Sequence, residues 1–168
     1  MNRQRVAAGL LAVSAAGFAA WTASEGFTDR AVIPTKGDVP TIGHGSTRYE
    51  DGRPVQLGDT ITRERAAILA RNLMTVDERR LAGSLPGVRL YQEEFDLYVD
   101  FVGQFGFGNW SGSSMRRLLL AGDYAGACRA LLRYKYAAGY DCSTPGNKRC
   151  YGVWTRQLAR HAKCMEVQ

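Results

Sequence analysis

The segment EGFTDRAVIPTKGDVPTIGHG (residues 25–45) decides the fold, because an acidic residue ends an apolar stretch and turn-forming residues follow it. Two prolines and a glycine interrupt the segment, and residues 39–42 favour an extended chain. We therefore expect a helix to end near Glu25, followed by a short hairpin. The hairpin should return Asp38 and Thr41 towards that acid.

Two carboxyl groups and a hydroxyl group facing one cleft are the groups that a glycosidase uses. One acid donates a proton to the leaving oxygen, and the other carboxylate stays ionised to activate water or to stabilise charge. We predict that Glu25 is the general acid and that Asp38 stays ionised. Thr41 would help to hold the water.

The pair Glu25-Gly26, joined to Pro40-Thr41-Ile42-Gly43, resembles the glutamate–threonine core of the T-even type of phage lysozyme, glycoside hydrolase family 24. The likeness continues to the C-terminus. At the family's usual aspartate position this chain has Pro34, whereas Asp38 matches the Lys-Gly-Asp-x-Pro-Thr-Ile-Gly form of some relatives.

The resemblance implies an α+β, lysozyme-like fold, in which a long helix joins a small β-hairpin lobe to a larger helical lobe. It also implies an endolysin that hydrolyses the β-1,4 bond between N-acetylmuramic acid and N-acetylglucosamine in peptidoglycan. No metal or organic cofactor is implied, and we expect a monomer. The carboxyl separation would distinguish an inverting from a retaining path.

The chain has 168 residues, enough for one domain with a sizeable core, and a formal net charge of +6. This charge favours an anionic partner, and both nucleic acid and the bacterial envelope qualify. The cysteine content, which suits an exported protein, disfavours nucleic acid.

The N-terminus carries Arg3 and Arg5, followed by nineteen uncharged residues, 6–24. As a helix this stretch would be roughly 28 Å long, close to the hydrocarbon thickness of a bilayer, with the N-terminus inside. Eight of the nineteen residues are alanine, so membrane insertion would be marginal. It resembles the signal-anchor-release helix of a class of phage endolysins.

This resemblance predicts that residues 1–24 are an uncleaved anchor and that residues 25–168 are the catalytic domain. The host export machinery would place the enzyme at the inner membrane, and release would free it into the periplasm. The alternative is a signal peptide cleaved near Ala20 or Ala23, which would remove the helix that holds Glu25.

Four cysteines, Cys128, Cys142, Cys150 and Cys164, suggest two disulfides with three possible pairings. The short loop between Cys142 and Cys150 favours their pairing, which leaves Cys128 with Cys164. A competing interpretation is a zinc site formed by three of these cysteines and His161, although its spacing is unfamiliar.

His44 lies beside the proposed site and is a candidate sugar contact, or else a structural histidine in a glycine-rich turn. Two other functions stay open at this point. A lytic transglycosylase would need Glu25 but not Asp38, and an exported wall-binding protein would need neither.

Overall fold

Residues 4–34 and 37–168 are described by the structure, a computed structural model. The chain divides into two units. The hairpin unit comprises residues 12–80, and the helical unit comprises residues 1–11 and 81–168.

The hairpin unit contains a helix followed by a two-stranded antiparallel hairpin, as the sequence predicts. The helix α1 spans Ala15–Glu25, and the strands β2 (Thr28–Val32) and β3 (Thr41–Gly43) form the hairpin. Its apolar core consists of six buried residues and is covered by Phe27, Tyr49 and Leu73; the six are Ala31, Ile42, Val55, Ile61, Ala66 and Leu69.

A long helix, α2 (Arg63–Gly83), crosses the boundary between the two units. Thr62 caps its first turn, since the Thr62 hydroxyl accepts a hydrogen bond from the Arg65 amide at 3.2 Å. The long helix that the resemblance implies is present.

The helical unit holds the remaining elements around an aromatic core. Its strands are β1 (Val6–Ala7), β4 (Arg89–Leu90), β5 (Tyr136–Ala137) and β6 (Tyr140–Asp141), and its helices are α3 (Gln92–Ser111), α4 (Ser114–Leu120), α5 (Tyr124–Ala130) and α6 (Tyr151–Glu166). Tyr98, Phe101 and Trp110 are fully buried, with 5.2 Å between the Tyr98 and Trp110 ring centroids. The predicted small hairpin lobe and the predicted larger set of helices are both present.

Both disulfides lie in the helical unit and follow the favoured pairing. Cys128–Cys164 joins α5 to α6 across 36 residues, and Cys142–Cys150 closes a loop of 8 residues. The cysteines of the competing zinc interpretation are therefore all disulfide-bonded.

The N-terminal stretch is not one continuous helix in the structure. Residues 6 and 7 form β1, a short 3-10 turn covers residues 8–10, and α1 begins only at Ala15. Ser14 sets this start, because its hydroxyl accepts a hydrogen bond from the Gly17 amide at 2.9 Å. Within residues 4–34 and 37–168, no helix combines the length and the apolar composition needed to cross a membrane.

The helix α1 is apolar, yet none of its residues is fully buried. Phe18 and Trp21 are half-buried and stack on each other with centroids 6.2 Å apart, while most of its alanines are exposed. This helix therefore leaves apolar surface in contact with solvent.

Formal charge is divided unequally between the units. Residues 1–11 and 81–168 contain 13 Lys and Arg against seven Asp and Glu, whereas residues 12–80 contain nine of each. The net charge of +6 therefore resides in the helical unit, and the hairpin unit is formally neutral.

Candidate active site

Glu25 is the last residue of α1, and the chain turns sharply behind it. Gly26 follows with a φ of +74°, in the left-handed region that favours glycine, so the helix stops there. The Glu25 side chain is exposed. The acid thus stands at a helix end, as the sequence predicts.

The start of the same helix is held by a buried carboxylate on α2. Glu78 is 5 % exposed, accepts a hydrogen bond from the Val13 amide at 2.9 Å and pairs with Arg71 at 2.8 Å. No role is assigned to Glu78 from the sequence alone. A signal was present, because Glu78 lies four residues after Met74 and three before Leu81, within the apolar stripe of the helix.

His44 holds the backbone immediately after Glu25. The imidazole is 7 % exposed, and its Nδ1 donates a hydrogen bond to the Gly26 carbonyl at 2.5 Å. The rings of Trp21 and Phe27 are tilted against the imidazole, with centroids 6.5 Å and 5.7 Å from that of His44. The sugar contact proposed for His44 stays a prediction, while its contact with the Gly26 carbonyl favours the structural alternative.

The hairpin brings β3 back alongside β2 in a defined register. Thr28 is opposite Gly43, and Thr41 is opposite Val32, whose carbonyl accepts a hydrogen bond from the Thr41 hydroxyl at 3.4 Å. Gly43 has a φ of +64°, and a Cβ there would lie 2.8 Å from the Cβ of Ala66 on α2. Only glycine fits this close approach without a shift of the neighbouring helix.

Gly45, two residues after β3, approaches the acid closely. Its φ is +81°, and a Cβ built on it would lie 3.5 Å from Oε2 of Glu25. The chain just beyond Thr41-Ile42-Gly43 therefore returns to the Glu25 carboxylate. The return of Asp38 and Thr41 themselves towards Glu25 stays a prediction.

Asp38 lies in the turn that leads into β3, and its side chain is exposed. Its Oδ1 accepts a hydrogen bond from the Val39 amide at 2.8 Å, which fixes the carboxylate within its own turn. Two residues of this turn, Thr35 and Lys36, lie outside the described residues. The assignment of Asp38 as the second carboxylate stays a prediction.

Within residues 4–34 and 37–168, no group of three or more His, Cys, Asp or Glu side chains is arranged to hold a metal ion.

Comparison with known proteins gives a consistent result along most of the chain. The family model described as "Phage lysozyme" matches residues 22–160. An endolysin of Salmonella phage P22 is 31 % identical over 129 residues, covering 76 % of this chain and 86 % of that protein. A SAR-endolysin of Enterobacteria phage PA-2 is 28 % identical over 163 residues, covering 95 % and 90 %.

Solved structures of similar proteins confirm the predicted α+β, lysozyme-like fold. A mutant of P22 lysozyme superposes with a TM-score of 0.75 at 27 % identity, covering 93 % of this chain and 99 % of that one. An endolysin from Escherichia coli O157:H7 phage FAHEc1 superposes with a TM-score of 0.80 at 22 % identity, covering 95 % and 97 %.

Proposed function

The chain belongs to the phage lysozyme family, and from this premise we propose that it is an endolysin that cleaves peptidoglycan. The bond cleaved is the β-1,4 bond between N-acetylmuramic acid and N-acetylglucosamine. The observation that carries the proposal is the position of Glu25, whose Oε2 lies 3.5 Å from where a Cβ of Gly45 would stand. This places a carboxylic acid beside an open glycine turn at the end of the Thr-Ile-Gly strand.

In this mechanism Glu25 is the general acid that protonates the leaving glycosidic oxygen. Its exposed position on the end of a capped helix gives access to a polymeric substrate. Asp38 is the carboxylate that directs the water in this proposal, while Thr41 helps to hold that water. An inverting path needs roughly 6.5 to 9.5 Å between the two carboxyl groups, so that a water fits between them.

Two contacts of the hairpin unit support the orientation of Glu25. His44 fixes the Gly26 carbonyl, and Glu78 fixes the Val13 amide at the other end of α1. General acid catalysis requires a fixed distance to the leaving oxygen, and a helix held at both ends provides it.

The test is reducing-end release from purified peptidoglycan by wild type, Glu25→Gln and Asp38→Asn, with products identified by mass. Loss of hydrolytic product in both variants, by at least about 100-fold, would support the two-carboxylate mechanism. The matched control is Asp29→Asn, because Asp29 is another exposed acid four residues after Glu25. Its activity should stay close to that of wild type.

Three other outcomes would indicate a different mechanism or function. Products with 1,6-anhydro ends, lost only in Glu25→Gln, would indicate a lytic transglycosylase. Hydrolysis that survives in Asp38→Asn would mean that another group holds the water. An absence of product from wild type, with retained wall binding, would replace the enzyme by a binding protein.

Residues 1–24 form the uncleaved anchor in this proposal, and residues 25–168 form the catalytic domain. The host export machinery delivers the chain to the inner membrane through residues 6–24, and release then frees it into the periplasm. The similarity to a SAR-endolysin over 95 % of the chain supports this, as does the exposed apolar surface of α1. Intact mass of the membrane and soluble fractions tests it, because both should retain the N-terminal residues.

A further inference from the structure

The side chain of Arg5 occupies a specific site on the helical unit. Its Nε and Nη2 donate to the two carboxylate oxygens of Glu94 at 3.2 Å and 3.1 Å, and Nη2 also reaches Oε1 of Gln168 at 2.8 Å. The guanidinium lies over two aromatic rings, 4.3 Å from the centroid of Tyr91 and 3.8 Å from that of Tyr124. These groups match both the charge and the flat shape of a guanidinium.

Glu94 is a carboxylate that depends on this partner. It is 0 % exposed, and its oxygens also accept hydrogen bonds from the Tyr91 amide at 2.8 Å and from the Gln168 side-chain amide at 2.8 Å. Without a cation, a charge at this depth is strongly unfavourable. Arg5 supplies a cation here, because its Nη2 forms an ion pair with Oε1 of Glu94 at 3.1 Å.

The residues after Arg5 are fixed on the same unit by backbone pairing. Val6 is opposite Leu90 and Ala7 is opposite Arg89 in the β1–β4 pair, and the Ala8 amide donates to the Val88 carbonyl at 3.0 Å. Ala8 is 1 % exposed. The segment from residue 5 to residue 8 is therefore docked as a short strand with an arginine at its end.

We propose that Tyr91, Glu94, Tyr124 and Gln168 form a guanidinium-binding site whose ligand is Arg5 of the same chain, occupied only after the N-terminal segment has left the membrane. The inference rests on the anchor of the proposed function. With the N-terminus inside, Arg5 precedes the membrane-spanning residues 6–24. A hydrocarbon layer of about 30 Å would then separate it from the exported body that carries Glu94.

Occupation of this site opposes return of the segment to the membrane, because Arg5 must first leave Glu94. The site also distinguishes an uncleaved chain from a processed one. Cleavage after Ala20 or Ala23 would remove Arg5 and leave the buried carboxylate without its cation. Retention of the N-terminus is therefore built into the packing of the helical unit.

The test compares full-length Arg5→Ala with Arg3→Ala, its matched control. Each variant removes one positive charge from the same N-terminal sequence, so effects on insertion should be equal. Arg5→Ala should lower the thermal unfolding midpoint by on the order of 10 °C and reduce the soluble fraction several-fold. Arg3→Ala controls for the loss of one positive charge ahead of residues 6–24.

Chemical rescue makes the test specific for the guanidinium. Ethylguanidinium at low millimolar concentration should restore part of the midpoint and of the soluble fraction of Arg5→Ala, whereas ethylammonium should not. If Arg5→Ala does not fold alone, ethylguanidinium is included during refolding. Arg5→Lys, which keeps the charge but loses the paired hydrogen bonds, should be intermediate.

A midpoint and a soluble fraction of Arg5→Ala equal to those of wild type would overturn the proposal, and so would equal rescue by both cations. Failure of the proposed function has a different signature, which is a wild-type protein that releases no reducing ends from purified peptidoglycan. The two measurements use separate samples and are read independently.

Discussion

Replacing Gly45 by alanine should separate the cost of backbone strain from the cost of crowding the proposed acid. Gly45 has a φ of +81°, and its new methyl group would lie 3.5 Å from Oε2 of Glu25. Gly52 has nearly the same φ, +86°, and a Cβ there meets nothing within 4 Å. Alanine in this left-handed region costs about 1 to 2 kcal/mol. Both variants should therefore lose a similar free energy of unfolding.

The two variants should differ in activity. At Gly45 the methyl group is at ordinary van der Waals distance from the carboxylate and excludes water or substrate from that side. We expect kcat to fall at least about tenfold in Gly45→Ala, which corresponds to about 1.4 kcal/mol in the activation barrier. Gly52→Ala should retain the wild-type kcat. Stability is measured by urea unfolding, and activity by reducing-end release.

A third substitution completes the series. Gly43→Ala adds a contact of 2.8 Å with the Cβ of Ala66 to the same backbone strain, so its loss of stability should exceed that of Gly52→Ala by about 1 to 3 kcal/mol. Equal activities of Gly45→Ala and Gly52→Ala would refute the placement of Glu25 at the reacting centre. Equal stabilities of Gly43→Ala and Gly52→Ala would refute the close approach of hairpin and helix.

Three further predictions concern stability. Arg65 and Asn72 hold the pKa of Glu50 at about 2, below its ordinary 4.5, so its contribution is complete above pH 4.5 and is lost as the pH falls towards 2. Because Glu50 is partly exposed, we expect this contribution to the free energy of unfolding to be about 1 kcal/mol. Urea unfolding across this pH range should show the contribution in wild type and its absence in Glu50→Gln. Removing the disulfide that closes 36 residues should lower the free energy of unfolding by about 3.8 kcal/mol, and removing the one that closes 8 residues should lower it by about 2.5 kcal/mol. Double-serine variants compared at one pH measure both losses. Glu78→Gln keeps an acceptor for the Val13 amide but loses its ion pair, and should cost about 1 to 3 kcal/mol in urea unfolding; no loss would mean that the ion pair contributes nothing.

Local sequence signals were sufficient for the hairpin and for the end of α1. Glycine and proline spacing predicts the turn after Glu25 and the return to Thr41, because these residues restrict the backbone without help from distant contacts. The cap that Thr62 provides for α2 is local in the same sense, since Thr62 and Arg65 are only three residues apart.

Long-range contacts explain what the sequence did not reveal. The contact of Glu78 with Val13, just before α1, spans 65 residues, and the β1–β4 pair joins residues more than eighty positions apart. Arg5 was interpreted only as a basic flank of an apolar stretch. Its pairing with Glu94 spans 89 residues, and no local sequence pattern predicts a contact over that distance.

The unequal division of charge has a consequence for movement through a polyanionic mesh such as the proposed substrate. An excess of +6 carried by the helical unit would let that unit adsorb to the mesh as a cation adsorbs to an exchange resin, while the neutral hairpin unit adds no net attraction. Diffusion then proceeds by repeated desorption. Moderate salt, which screens these charges within about 10 Å at 0.1 M, should widen the zone cleared around a point of application, until weaker adsorption limits cutting.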